Sequence, residues 1–273
     1  MSQRSTAALL SLVLFLLGAG AWEATSRAAA EPPRAAGSAL VAGADQVARL
    51  PRPTELAVYA WEQLADPFYD RGTNDKGIGI QLAFSLARVL FGYTLALAVA
   101  IPLGFVVGMS PLMLAALDPF IQVLRPISPL AWMPLALFVI KDSSAAAIFV
   151  IFVCSLWPTL INTAFGVANV SRDYLNVART LELSRARTAL TLILPAAAPT
   201  ILTGMRISIG ISWLVIVAAE MLVGGTGIGY FVWNEWNNLD LKAVVFSVLC
   251  IGVVGMTLDR ALSWVGKRVS YEQ

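Results

Sequence analysis

Ser171 to Pro195 reads SRDYLNVARTLELSRARTALTLILP. It is a polar, arginine-bearing island between long apolar runs, so it must be a loop at one membrane face. It is not patterned as an irregular loop. Tyr174, Val177, Ala178 and Leu181 recur at i, i+3, i+4 and i+7, which places them on one helical face. Arg172, Asn176, Arg179 and Glu182 lie mainly off that stripe. Ser184 is placed to cap a second short helix, with Ala186, Ala189, Leu190 and Ile193 on its apolar side. Two short amphipathic helices in a membrane loop predict a docking surface for a soluble partner.

The rest of the chain supports a membrane setting. Of 273 residues, 58% are hydrophobic and 13% charged, and the mean hydropathy is +0.74. Soluble domains carry about 25% charged residues. The bilayer is therefore the expected solvent, and an all-α architecture follows, because lipid leaves no partner for unpaired backbone groups. Cys154 and Cys250 each lie inside an apolar run and read as packing residues rather than as a disulfide or a metal pair. The chain contains no histidine, which excludes histidine-based acid–base catalysis, Ser-His triads and most zinc sites. None of Lys76, Lys141, Lys242 and Lys267 sits in a phosphate-binding loop, so any ATP hydrolysis must come from another chain. No catalytic residue, cofactor, metal or nucleic-acid partner is expected.

About six spans are predicted, each needing about 20 mostly apolar residues. The first is Ala7–Trp22, within an N-terminal segment 1–30; a cleaved signal peptide is the alternative reading. Residues 31–80 form a proline-rich external connector, with a surface helix at Thr54–Leu64 capped by Thr54. The membrane core, residues 81–267, holds Leu82–Met109, Asp118–Ile140, Ala145–Val167, Pro199–Val223 and Ala243–Trp264, and residues 268–273 form a tail. Gly104 and Gly108 form a GxxxG pair, read as close helix packing. Arg172, Arg179, Arg185 and Arg187 in the loop, with Arg260, Lys267 and Arg268 at the C-terminal end, place the loop and both termini in the cytoplasm.

Polar residues inside the spans are candidate path residues. Arg125, in IQVLRPISPLAWMP, either snorkels to the inner interface or offers positive potential to an anion in transit, with Ser128 and Trp132 near its helical face. Arg206 is expected to reach the inner surface. Glu220 lies near the outer end, at an external mouth or simply interfacial. Ser208 and Ser212 are i, i+4 neighbours that line a path or bond backbone. Arg88 is read as interfacial. Gly224–Gly229, GGTGIG, is read as a flexible turn rather than a nucleotide site, because it follows a membrane helix. Tyr230, Trp233 and Trp236 read as an interfacial aromatic belt.

The opening stretch resembles the EAA loop of ABC-importer permeases: Glu-Ala-Ala, three residues, Gly, nine residues, then Ile-x-Leu-Pro. The matching positions here are Asn176-Val177-Ala178, Glu182 and Leu192-Ile193-Leu194-Pro195. The spacing fits, while Asn176 replaces the Glu and Glu182 replaces the Gly. DPFYDRGTNDKGIG (from Asp66) and RPISPLAWMP (from Arg125) are similar to the nitrate branch of the nitrate/sulfonate/bicarbonate importer permeases. This resemblance implies a type I ABC-importer permease fold. It implies a second permease subunit, two cytoplasmic ATP-binding subunits and a periplasmic anion-binding protein as partners, in a bacterial inner membrane. It assigns ATPase coupling to Asn176, Val177, Ala178, Arg179, Leu181, Glu182, Ser184 and Pro195. It implies alternating-access import of nitrate, with nitrite. Bicarbonate, cyanate and alkyl sulfonates remain open as cargo. A membrane enzyme or a scaffold is the rival outside the transporter class.

Overall fold

A computed structural model describes residues 3–28, 50–72 and 74–269. The described residues form helices joined by short turns, with one isolated bridge, Asp70 to Lys76. Five helices are long and apolar enough to span a membrane, or six if one bent pair counts as a span. The chain divides into two compact units, Met1–Gly79 with Phe231–Cys250, and Ile80–Tyr230 with Ile251–Gln273.

In the first unit, α1 (Gln3–Ala28) and α2 (Pro53–Ala65) meet through Glu23, whose carboxylate takes Arg27 at 2.9 Å and the Thr54 hydroxyl at 3.4 Å. Thr54 is therefore not the cap of α2. The helix starts one residue earlier with Pro53, favoured at a first helical position, and Glu55 folds back onto the Arg52 amide at 3.0 Å. Tyr59 packs edge-on against Phe246 at 5.6 Å. The first part of the connector, residues 31–49, and the last tail residues, 270–273, lie outside the described residues.

The second unit is built on α3 (Ile78–Met109), α6 (Ser143–Ala168) and α8 (Arg185–Val223). Small residues let these helices approach closely. A methyl group on Gly104 would lie 2.7 Å from the Leu160 carbonyl, and one on Gly108 2.5 Å from that of Ala164. Across α6 and α8, hydroxyls replace methyls: Ser155 bonds Ser212 at 2.6 Å, and Thr159 bonds Ser208 at 2.8 Å. All four are fully buried. Ala96, Ala100, Leu156 and Leu160 fill the α3–α6 seam, and Val167, Ile193, Ala197 and Ile201 the α6–α8 seam.

Two predicted spans change shape. The third begins at Pro111 and is broken into α4 (Pro111–Leu124) and α5 (Pro129–Ile140), bent by 92°. Proline disfavours the helical region for the residue before it, and Ser128 is accordingly extended at φ −59°, ψ 136°. The fifth span starts at Arg185, not Pro199. Ser184 caps it, and a π turn at Ala189–Ile193 precedes Pro195, whose ring excludes the regular bond to the Thr191 carbonyl. The predicted second short helix of the loop is thus the first turns of α8, a helix 39 residues and about 58 Å long. The last helices are α9 (Ile228–Asn237) and α10 (Leu241–Val269), after α7 (Arg172–Thr180) in the loop.

Candidate functional site

The loop end of the second unit is organised by α7. Ser171 caps it, and its far end closes with two reciprocal bonds: the Glu182 amide to the Arg179 carbonyl and the Leu183 amide to the Ala178 carbonyl, each 3.0 Å. This pattern satisfies the last helical carbonyls and needs a left-handed residue between them. Glu182 supplies it at φ 52°. Glycine adopts that conformation without steric cost, which gives a physical reason for the glycine of the EAA pattern that Glu182 replaces.

Of the α7 stripe, only Ala178 is buried, at 3% exposure. Tyr174, Val177 and Leu181 are exposed, although a helix normally turns such a stripe into its own core. Asn176, Arg179, Glu182, Ser184 and Pro195 are also exposed. Beneath α7 a cavity of about 390 Å³ runs between Met109, Leu175, Ala178, Leu183 and Ile193. Arg179 and Arg185 also line this cavity, and the loop leaves Tyr174, Val177 and Leu181 exposed.

At the opposite end of α8, Glu220 is 3% exposed. It is neither an open mouth residue nor an interfacial one. Its carboxylate accepts from the Ser85 hydroxyl at 2.7 Å, from the Arg88 guanidinium at 2.8 Å and from the Gly229 amide at 3.0 Å. Arg88 is likewise not a simple interfacial cation. It also donates to the Thr226 carbonyl at 2.7 Å and to Ser144 at 2.9 Å. The Gly227 amide binds Gln81 at 2.6 Å and the Ile228 amide binds Ser85 at 2.9 Å. The GGTGIG stretch is thus a pinned turn rather than a flexible one. Glycine allows it, since a side chain at Gly227 would collide with the Glu220 carboxylate. Gln81, Ser85 and Arg88 recur at i, i+4 and i+7 on one face of α3, a polar stripe in an apolar span that the sequence reading did not use.

The candidate path residues separate. Arg125 and Trp132 line one cavity of about 240 Å³, together with Cys154, Trp157, Asn162 and Ile207. The bend takes Ser128 off the helix that Arg125 ends; Ser128 instead heads α5, the helix of Trp132, and its hydroxyl caps it through the Leu130 amide at 3.3 Å. Ser212 is enclosed between α6 and α8, donating to the Ser208 carbonyl at 2.8 Å. Arg206 holds Asp259 of α10 through two bonds of 2.5 and 2.6 Å. Asn162 and Trp157 were not singled out by sequence, and Cys154 was read only as a packing residue; the helix-interior Pro158 next to Trp157 was the available signal. Among the described residues, no cluster could hold a metal ion, and both cysteines are free.

The chain is similar in sequence and fold to known proteins. The family model described as binding-protein-dependent transport system inner membrane component matches residues 100–271. The nitrate import permease protein NrtB of Leptolyngbya laminosa is 47% identical over 218 residues, covering 80% of this chain and 78% of that protein. The bicarbonate transport system permease protein CmpB of Synechococcus elongatus is 45% identical over 220 residues, covering 80% and 79%. An inward-facing structure of the MetNI methionine ABC transporter aligns with a TM-score of 0.62 at 13% identity, over 70% of this chain and 95% of that one, a likeness of fold. By its fold and its relatives, the chain belongs to the family of inner membrane components of binding-protein-dependent transport systems.

Proposed function

We propose that this chain is the membrane-spanning permease subunit of an ATP-driven importer that carries nitrate, with nitrite, into the cytoplasm by alternating access. The observation that carries the transport reading is the α7 loop, rigidly closed on itself yet exposing Tyr174, Val177 and Leu181 beside arginines. Such a surface fits a soluble ATPase that drives the membrane helices from outside. Asn176, Val177, Ala178, Arg179, Leu181, Glu182, Ser184 and Pro195 form or support that coupling element. The likeness to a nitrate import permease at 47% identity supports the cargo.

In this reading residues 1–30 carry the first span, 31–80 lie outside, 81–267 form the permease core and 268–273 are cytoplasmic. A second permease subunit completes the path, two ATP-binding subunits dock at α7, and a periplasmic anion-binding protein delivers the ion. ATP binding closes the ATPases and moves α7. The continuous α8 carries that displacement across the membrane, as a rigid element between two states. Hydrolysis and product release return it.

A bicarbonate importer is the second reading, favoured by the 45% identity to a bicarbonate permease. Uptake of isotope-labelled nitrate at low micromolar concentration, in cells with and without the gene, separates the two. Selective loss of nitrate uptake is expected, with labelled bicarbonate and taurine unchanged. Loss of bicarbonate uptake with nitrate unchanged would move the cargo to the sister branch.

A further inference from the structure

The cavity holding Arg125 lies among the central turns of its neighbours. Cys154 and Trp157 are near the middle of α6, and Ile207 and Ile211 near the middle of the stretch Leu194–Val223. Arg125 is exposed there and forms no ion pair among the described residues. Its position contrasts with that of Arg206 and Arg88, whose charges are both matched by carboxylates. No acidic side chain lines the cavity.

Arg125 caps α4 at the break before α5, and an unmatched arginine at membrane depth costs about 2.5–3.5 kcal/mol on insertion scales, so it faces a water-filled path or an anion. Apart from Asn162 and Cys154 the walls are indole and aliphatic, and low-dielectric walls lengthen the reach of a single charge. The volume of about 240 Å³ holds a small anion and several waters of about 30 Å³ each. Asn162 uses one N–H on the Pro158 carbonyl at 2.8 Å, and its amide keeps a second.

We propose that this cavity is a transit site for a small planar oxyanion of single charge, with Arg125 as its anchor and Asn162 as a second donor. The inference rests on the transporter reading and adds the site. A guanidinium presents two parallel donors to a planar oxyanion, which an ammonium cannot. One cation and one amide bind such an ion without trapping it, as conduction requires.

The test is ATP-driven uptake of labelled nitrate by the complete complex in proteoliposomes. Arg125→Gln should lower uptake by about tenfold or more, the scale of a lost charge-assisted bond, while ATPase activity stimulated by the loaded binding protein persists. Arg125→Lys should fall between, keeping the charge but losing the fork. Wild-type nitrate uptake with Arg125→Gln at every nitrate concentration would overturn the site and leave the transport reading standing. A wild-type complex that carries bicarbonate, and loses it in Arg125→Gln, would overturn the nitrate cargo and uphold the site.

A second probe does not depend on the arginine variants assembling. Asn162→Cys, with Cys154→Ser and Cys250→Ser, should react with an anionic thiol reagent faster than with a cationic one, and nitrate should slow the reaction. A thiol that never reacts, or reacts equally with both and ignores nitrate, overturns the proposal.

Discussion

The two ends of α8 are built on opposite principles. At the Glu220 end every buried polar group finds its partner inside the chain: a carboxylate, a guanidinium, a hydroxyl and three backbone amides close on one another. At the Ser184 end the backbone is equally well satisfied, but Tyr174, Val177 and Leu181 are left without cover. Burying them would stabilise the chain by about 25 cal/mol per Å² of apolar surface, and the fold leaves that available to another protein. One end is sealed by its own residues. The other is rigid and unfinished, which is what a surface needs if it is to be pushed.

This contrast makes predictions that descend in their effect on stability. Glu220→Ala would leave Arg88 buried without its carboxylate, a loss of about 3–5 kcal/mol. The purified permease should show a much lower thermal unfolding midpoint, and an unchanged midpoint would mean that this end is not sealed as described. Gly227→Ala forces a methyl group into the same carboxylate and should cost about 1–3 kcal/mol, in the range of overpacked sites. The same melting measurement checks it, with Gly210→Ala, which meets open space, as the control.

At the loop end, Glu182→Gly should raise stability by up to about 1 kcal/mol, because it relieves a left-handed backbone at an L-residue. Slower amide exchange at Glu182 and Leu183, whose bonds close α7, is the expected reading. Leu181→Asp is the smallest in stability, within about 0.5 kcal/mol, because the side chain is exposed. It should nevertheless abolish ATPase co-purification and transport. Normal co-purification and uptake would remove the docking assignment. Ala178→Asp is a poorer probe than the stripe alone implied, since Ala178 is buried and its loss would disturb α7 itself.

Much of this was legible from local pattern. The apolar runs located the spans, though not the break in the third or the early start of the fifth; the i, i+3, i+4, i+7 stripe marked α7, and Ser184 marked a helix start that belongs to α8 rather than to a separate short helix. Proline and polar spacing in RPISP carried the break after Arg125, but its consequence, a 92° bend that takes Ser128 and Trp132 off the helix that Arg125 ends, depends on the tertiary fold. What sequence order by itself could not decide was which distant polar residues meet. Glu220 and Arg88 are 132 positions apart, and Arg206 and Asp259 are 53 apart. A charge in an apolar span reads the same whether it faces water, lipid or a partner. Only the tertiary arrangement pairs Glu220 with Arg88 and Arg206 with Asp259, and leaves Arg125 facing a cavity that no carboxylate lines, because desolvation is a property of the surroundings and not of the residue.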